Sequence, residues 1–104
     1  MSYQESLTAL SDPMRRRILN ALRDEPMPVG RLAERLPVSR PAVSRHLRLL
    51  ESAALVRHEE QGTRRLYQLD RRGLEALRDW LDAWWDEPLS SYAAHVEEAT
   101  RDDG

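Results

Sequence analysis

The chain has no cysteine among its 104 residues. That excludes a disulfide, a thiol redox switch and any metal site built on thiolates. Lysine is absent too: all sixteen basic residues are arginine. Arginine forks onto guanine edges and phosphates where lysine offers a point charge, although a GC-rich coding sequence produces the same bias. No apolar run approaches the roughly 20 residues needed to span a bilayer. The first ten residues lack the basic-then-apolar layout of an export signal, so the expected setting is a reducing cytoplasm. No internal repeat or low-complexity tract interrupts the chain. Nor is there a glycine-rich phosphate loop, a nucleophile elbow or a pair of metal ligands at a telling spacing. An enzyme is therefore not expected, and no cofactor or catalytic residue is assigned.

The length suits one domain, residues 1–104, with a single modest core. A hydrophobic content of 40% is enough for folding. The net charge of −2 argues against a polycation that coats DNA, but the charge is unevenly placed. Residues 31–72 hold ten arginines against five acidic residues, and residues 73–104 hold two against nine. The middle of the chain is a candidate phosphate-facing surface, and the acidic end should face elsewhere.

Periodicity predicts mostly helix. A short helix covers about 2–10. Asp12-Pro13 then places an N-cap before a proline in the first turn, and Met14, Ile18 and Leu22 form one stripe of a helix over 13–24. After the break at Glu25-Pro26-Met27-Pro28, Val29, Leu32, Ala33 and Leu36 mark a helix over 29–36. Ser39 caps the next helix, with Pro41 in its first turn. On that helix Val43, Leu47 and Leu50 fall in one narrow sector, and Pro41, Ser44, Arg45 and Arg48 on the opposite side. Such a helix packs one side in a core and offers the other to nucleic acid. Leu55–Glu60 and Arg64–Leu69 are strand candidates around Gln61-Gly62-Thr63, a hairpin with glycine in its turn. Asp70 caps a helix running to about Asp86, whose Leu74, Leu77, Trp80, Leu81, Trp84 and Trp85 cover a sector of ~140°, wider than one-sided packing needs. Its three tryptophans need covering, which a second chain can supply. Leu89, Tyr92, Val96 and Ala99 suggest a further amphipathic segment. A helix-turn-helix over about 29–52, a wing over about 55–69 and C-terminal helices over about 71–99 make a winged-helix layout.

Five pieces carry a resemblance. They are Leu10-Ser11-Asp12-Pro13 with Arg16 and Ile18-Leu19; Val29–Ala33; Val38–Leu50; Ala54-Leu55-Val56; and Gly62–Leu69. In this order and spacing they resemble the ArsR-type winged-helix repressors of bacteria, over about residues 3–99. The resemblance implies a homodimer built by the first and last helices, two recognition helices in successive major grooves of an inverted-repeat operator, and repression of transcription. Leu7, Leu77, Trp80, Leu81, Trp84 and Trp85 are the interface candidates. The family's thiolate sensor is absent, since the third helix carries Leu32–Leu36 without cysteine. The family's second metal site falls, by spacing, on Asp82, Trp84, His95 and Glu98. Tryptophan there replaces a ligand and Pro88 breaks the helix, leaving three donors for weak zinc binding at most. No metal site is assigned. The tryptophan-rich last helix is similar to the metal-independent branch, whose members often repress their own operon. A small-molecule effector is not identified.

The expected DNA-binding residues follow. Ser39 and Ser44 can donate to phosphate or base edges, and Arg45 and Arg48 can reach guanine or phosphate. Arg40 should meet backbone, and Pro41 a thymine methyl. His46, at the sector edge, either bonds a phosphate or packs beside Leu50. Arg57, Arg64 and Arg65 on the wing suit a narrow minor groove, or else guard a strand edge. Two other classes stay open: a repressor gated by a ligand or metal, and a winged-helix module that binds protein. Modules of the latter kind tend to lose the basic residues that Arg40, Arg45 and Arg48 retain here.

Overall fold

A computed structural model of the chain describes residues 3–86 and 92–96. Over residues 3–86 the elements run in order: α1 Tyr3–Leu10, α2 Pro13–Asp24, α3 Val29–Arg35, α4 Arg40–Ser52, β1 Val56–Gln61, β2 Arg64–Leu69 and α5 Arg71–Asp86. The expected order of helices and hairpin is the observed one. Residues 92–96 are helical as well. Leu89 and Ala99, proposed for the same segment, lie outside the described residues, as do Pro88 and Glu98.

Local chemistry sets the boundaries. Asp12 accepts from the Met14 and Arg15 amides at 2.7 and 3.3 Å, satisfying two of the orphan donors that open α2. Desolvation pushes the Asp12 carboxyl up, but these two amides and the charge of Arg15 hold it below its ordinary value. At its C-terminus α4 stops in a Schellman motif: Leu55 N–H returns to Leu50 O at 3.0 Å and Ala54 N–H to Glu51 O at 2.9 Å. Ala54 takes the left-handed position at φ 55°, where glycine is the usual residue.

Gly73 explains why the chain accepts that turn. Its amide donates to Ala54 O at 2.9 Å. A Cβ on Gly73 would lie 2.5 Å from Ala53 O and 2.7 Å from Ala54 O. The start of α5 therefore presses directly on the end of α4. Ser6, fully buried, donates through Oγ to Gly73 O at 3.1 Å and ties α1 to the same point.

The hairpin is antiparallel, with Val56 opposite Leu69 and Gln61 opposite Arg64. Gly62 and Thr63 make the two-residue turn. Only Gly62 has positive φ, 62°, the pattern of a type II′ turn. Met27 adds a third, one-residue partner. Its amide and carbonyl both pair with Tyr67, at 2.9 and 2.8 Å. The segment read as a simple break thus also anchors the wing to the body.

Ile18, Leu22, Met27, Leu32, Val43, Leu47, Leu50, Leu55, Val56 and Tyr67 form the core. Each fully buried aliphatic side chain contributes about 1.5–3 kcal/mol relative to exposure. These are the stripes that periodicity assigned, joined by Met27 and Tyr67 across the bridge.

Candidate nucleic-acid interface

α3 and α4 meet through residues 36–39, with Leu36 buried and Val38 half-buried beneath the turn. Ser39 Oγ accepts the Ala42 amide at 3.3 Å and starts α4. Val43, Leu47 and Leu50 point into the core. The opposite face is left to solvent: Ser39, Arg40, Pro41, Arg45 and Arg48 are exposed, while Ser44 and His46 are half-buried. Arg40 lies over Gly30 of α3, near enough that a Cβ there would meet its guanidinium at 3.9 Å.

The wing arginines divide between two faces. Register puts Arg57 and Arg64 on one face with Gln61 and Gln68, and Arg65 on the other with Tyr67 and Glu60. Arg65 Nε donates to Glu60 Oε1 at 3.3 Å. Bonding to Tyr67 first, and then the Glu60 carboxylate, hold the Arg65 guanidinium pKa above its ordinary value. Arg40, Arg45, Arg48, Arg57 and Arg64 form no ion pair among the described residues. These five guanidiniums lie on the middle segment where sequence charge is most positive.

Two further contacts fix this surface, one made by Arg15 and one between Glu51 and His58, and sequence reading singled out neither. Arg15, largely buried on α2, donates through Nε to Ala9 O at 2.6 Å and through Nη2 to Thr8 O at 3.3 Å. Its Nη1 lies 3.4 Å from His46 Nδ1 and 3.7 Å from the Asp12 carboxylate. One side chain thus joins α1, α2 and α4. Arg15, Arg16 and Arg17 are indistinguishable as sequence; only the Asp12 cap three residues upstream hints that Arg15 turns inward. At the other end of α4, Glu51 Oε2 sits 3.0 Å from His58 Nδ1, whose ring leans on Tyr67 at 5.5 Å. That contact joins α4 to β1.

α1 and α5 form a separate apolar face. Tyr3 stacks on Trp80 at 4.8 Å, and Trp80 meets Trp84 edge-on at 6.2 Å. Leu77 and Trp80 are half-buried within the chain. Leu7, Leu81, Trp84 and Trp85 are exposed, Trp85 by 73%. Of the residues at the family's second metal spacing, Asp82 and His95 are both exposed, and Glu98 lies outside the described residues. Among the described residues no three His, Asp or Glu side chains gather as a metal site, and no helix is long and apolar enough to cross a membrane.

The comparisons agree with this geometry. A helix-turn-helix domain family matches residues 10–59. The chain is 52% identical to the HTH-type transcriptional regulator Rv2034 of Mycobacterium tuberculosis, over 86% of this chain and 83% of that one. It is 34% identical to the transcriptional repressor SdpR of Bacillus subtilis, over 70% and 81%. Among solved structures, an ArsR-like regulator from Rhodococcus sp. RHA1 superposes with a TM-score of 0.72 at 31% identity, covering 86% of this chain and 88% of that one. Mb0332 of Mycobacterium bovis, described as a homodimeric winged helix-turn-helix DNA-binding domain, superposes at 0.64 with 26% identity, over 85% and 82%. The chain belongs to the ArsR family of winged helix-turn-helix transcriptional regulators.

Proposed function

We propose that the protein is a homodimeric repressor that binds an inverted-repeat operator, its own promoter region being the first candidate, and that it works in the cytoplasm without catalysing a reaction. The observation that carries this reading is the set of unpaired guanidiniums. Arg40, Arg45, Arg48 and Arg64 form no ion pair among the described residues, and Arg57 feels only the longer-range field of Asp70; phosphates or guanine edges would supply a closer partner. Ser39, Pro41, Ser44 and His46 complete the reading face. Arg65, paired within the wing, contributes less than Arg57 and Arg64.

The exposed face of Leu7, Leu81, Trp84 and Trp85 supports dimerisation through α1 and α5, with Leu77 and Trp80 packed beneath it. Exposed tryptophans this close together are rare on a monomer. Residues 1–104 act in this reading as one winged-helix domain. Trp84, which stands where the family's second metal site has a ligand, supports the metal-independent branch.

A gel shift with the gene's own promoter region, with and without EDTA, tests the proposal. A sequence-specific shift that EDTA leaves unchanged is expected. A shift that disappears with EDTA would replace the metal-independent reading, and equal retention of unrelated DNA would remove the operator reading.

A further inference from the structure

Behind the reading face, a groove of about 290 Å³ opens between α2, the end of β2 and α5. Leu10, Leu19 and Leu69, each partly buried against the core, line it with Leu74, which is 36% exposed. Arg16, Asn20 and Arg23 form the other wall. Steps of four and three residues place these three on one face of α2, with about 10 Å of helix between the two arginines. Among the described residues no acidic side chain lines the groove. Arg16 commits one donor to Leu10 O at 2.6 Å, and neither arginine forms an ion pair among the described residues.

From this combination we infer that the groove is a binding site for a small amphipathic carboxylate, its apolar body on the leucines and its anionic head at the guanidinium wall. The volume lies at the low end of small-molecule sites, which suits a medium-chain aliphatic or single-ring acid. A leucine floor alone would accept any apolar molecule; the guanidiniums select an anion, because arginine meets a carboxylate with two parallel charge-assisted hydrogen bonds. Asn20 adds a neutral donor and acceptor between them. The site lies apart from the DNA-facing arginines, so this inference does not rest on the operator reading. Leu69 closes the wing at its base and Leu74 lies in the first turns of α5, so an occupant touches both elements at once.

Methyl-resolved NMR of the full chain with labelled leucines provides the test, with octanoate as probe and octan-1-ol as its uncharged counterpart. Saturable shifts on Leu10, Leu19, Leu69 and Leu74 are expected with octanoate, and binding at least tenfold weaker with octan-1-ol. Arg23→Gln, or Arg16→Gln should the first variant fold poorly, should weaken octanoate at least tenfold while leaving octan-1-ol unchanged. Equal binding of acid and alcohol would overturn the inference and leave an unselective apolar crevice. Shifts that follow protein concentration instead of octanoate would also overturn it, by showing that a second copy covers the groove. DNA retention is not part of the readout, so failure of the operator reading leaves this result intact.

Discussion

Arg15 Nη1 sits 3.4 Å from His46 Nδ1, so α2 holds the recognition helix by its histidine. A guanidinium can only donate. Nδ1 is therefore the acceptor in this contact, which leaves Nε2 as the ring's donor. That tautomer keeps a donor for a phosphate while the other nitrogen is tied to the body of the domain. The two roles expected for His46, packing and phosphate contact, are compatible in this geometry.

Removing this hub should cost both stability and DNA binding. Arg15→Ala strips the side-chain donor from Ala9 O and the partner from His46, while Thr8 O keeps the Ser11 hydroxyl and amide. Leaving partly buried acceptors unmet costs about 1–3 kcal/mol. Urea denaturation should show that loss, and fluorescence anisotropy should show weaker operator binding at temperatures where the variant is still folded. An Arg15→Ala protein of unchanged stability would refute the hub.

On the reading face, Arg45→Ala should weaken operator binding by about 1–3 kcal/mol if the guanidinium forks onto a base. Arg64→Ala should act differently, flattening the log–log salt dependence by about one, as expected for a lost phosphate contact. Arg65→Ala should have the smallest effect of the three, because Glu60 already engages that side chain. Anisotropy titrations across a salt series measure all three, and equal losses would erase the distinction drawn between the two faces of the wing.

Gly73→Ala addresses the junction of α4 and α5. The added methyl would sit 2.5 Å from Ala53 O, against backbone that has no free end to swing aside. A loss of about 3 kcal/mol is expected, at the upper end of ordinary single substitutions. Chemical denaturation measures it; a stability within 0.5 kcal/mol of wild type, roughly the range of neutral surface changes, would contradict the close approach.

Asp70 links stability to pH. Its carboxylate accepts the Arg72 amide at 3.0 Å and the Arg72 guanidinium at 2.7 Å. The guanidinium holds this carboxyl below the ordinary aspartate range, against the opposing effect of burial. A depressed carboxyl stabilises the fold fully above its unfolded value, about 3.9, and that contribution is lost as pH falls through the lowered folded value. Asp70→Ala should therefore cost about 1 kcal/mol at neutral pH, as lost N-caps do. The difference from wild type should shrink on acidification below that window. A difference that stays constant down to the acid transition would show that the cap does not depend on charge.

Much of this was legible in the sequence because it is local. The stripe of Val43, Leu47 and Leu50 follows from 3.6-residue periodicity, and Ser39, Asp12 and Gly62 announce their elements by caps and turn chemistry. What the sequence hid is long-range. Met27 reads as part of a proline break, yet its pairing with Tyr67 depends on a partner forty residues away. Ser6 and Gly73 look unremarkable until α1 and α5 cross at the end of α4. Ala54 occupies a position where a sequence reader looks for glycine, so the Schellman motif leaves no residue signature. Among the arginines, strand alternation alone puts Arg65 on the Tyr67 face and Arg64 on the other; that Arg57 shares the face of Arg64 needed the strand register.

The most direct test of the central claim is a hydroxyl-radical footprint on the gene's promoter region, read at single-nucleotide resolution. A dimer that places two α4 helices in successive major grooves should protect two half-sites centred about one helical turn, ~34 Å, apart, and Arg45→Ala should raise the protein concentration needed to protect both, equally and together. Protection of one isolated half-site, or loss of one half-site without the other in Arg45→Ala, would contradict the account.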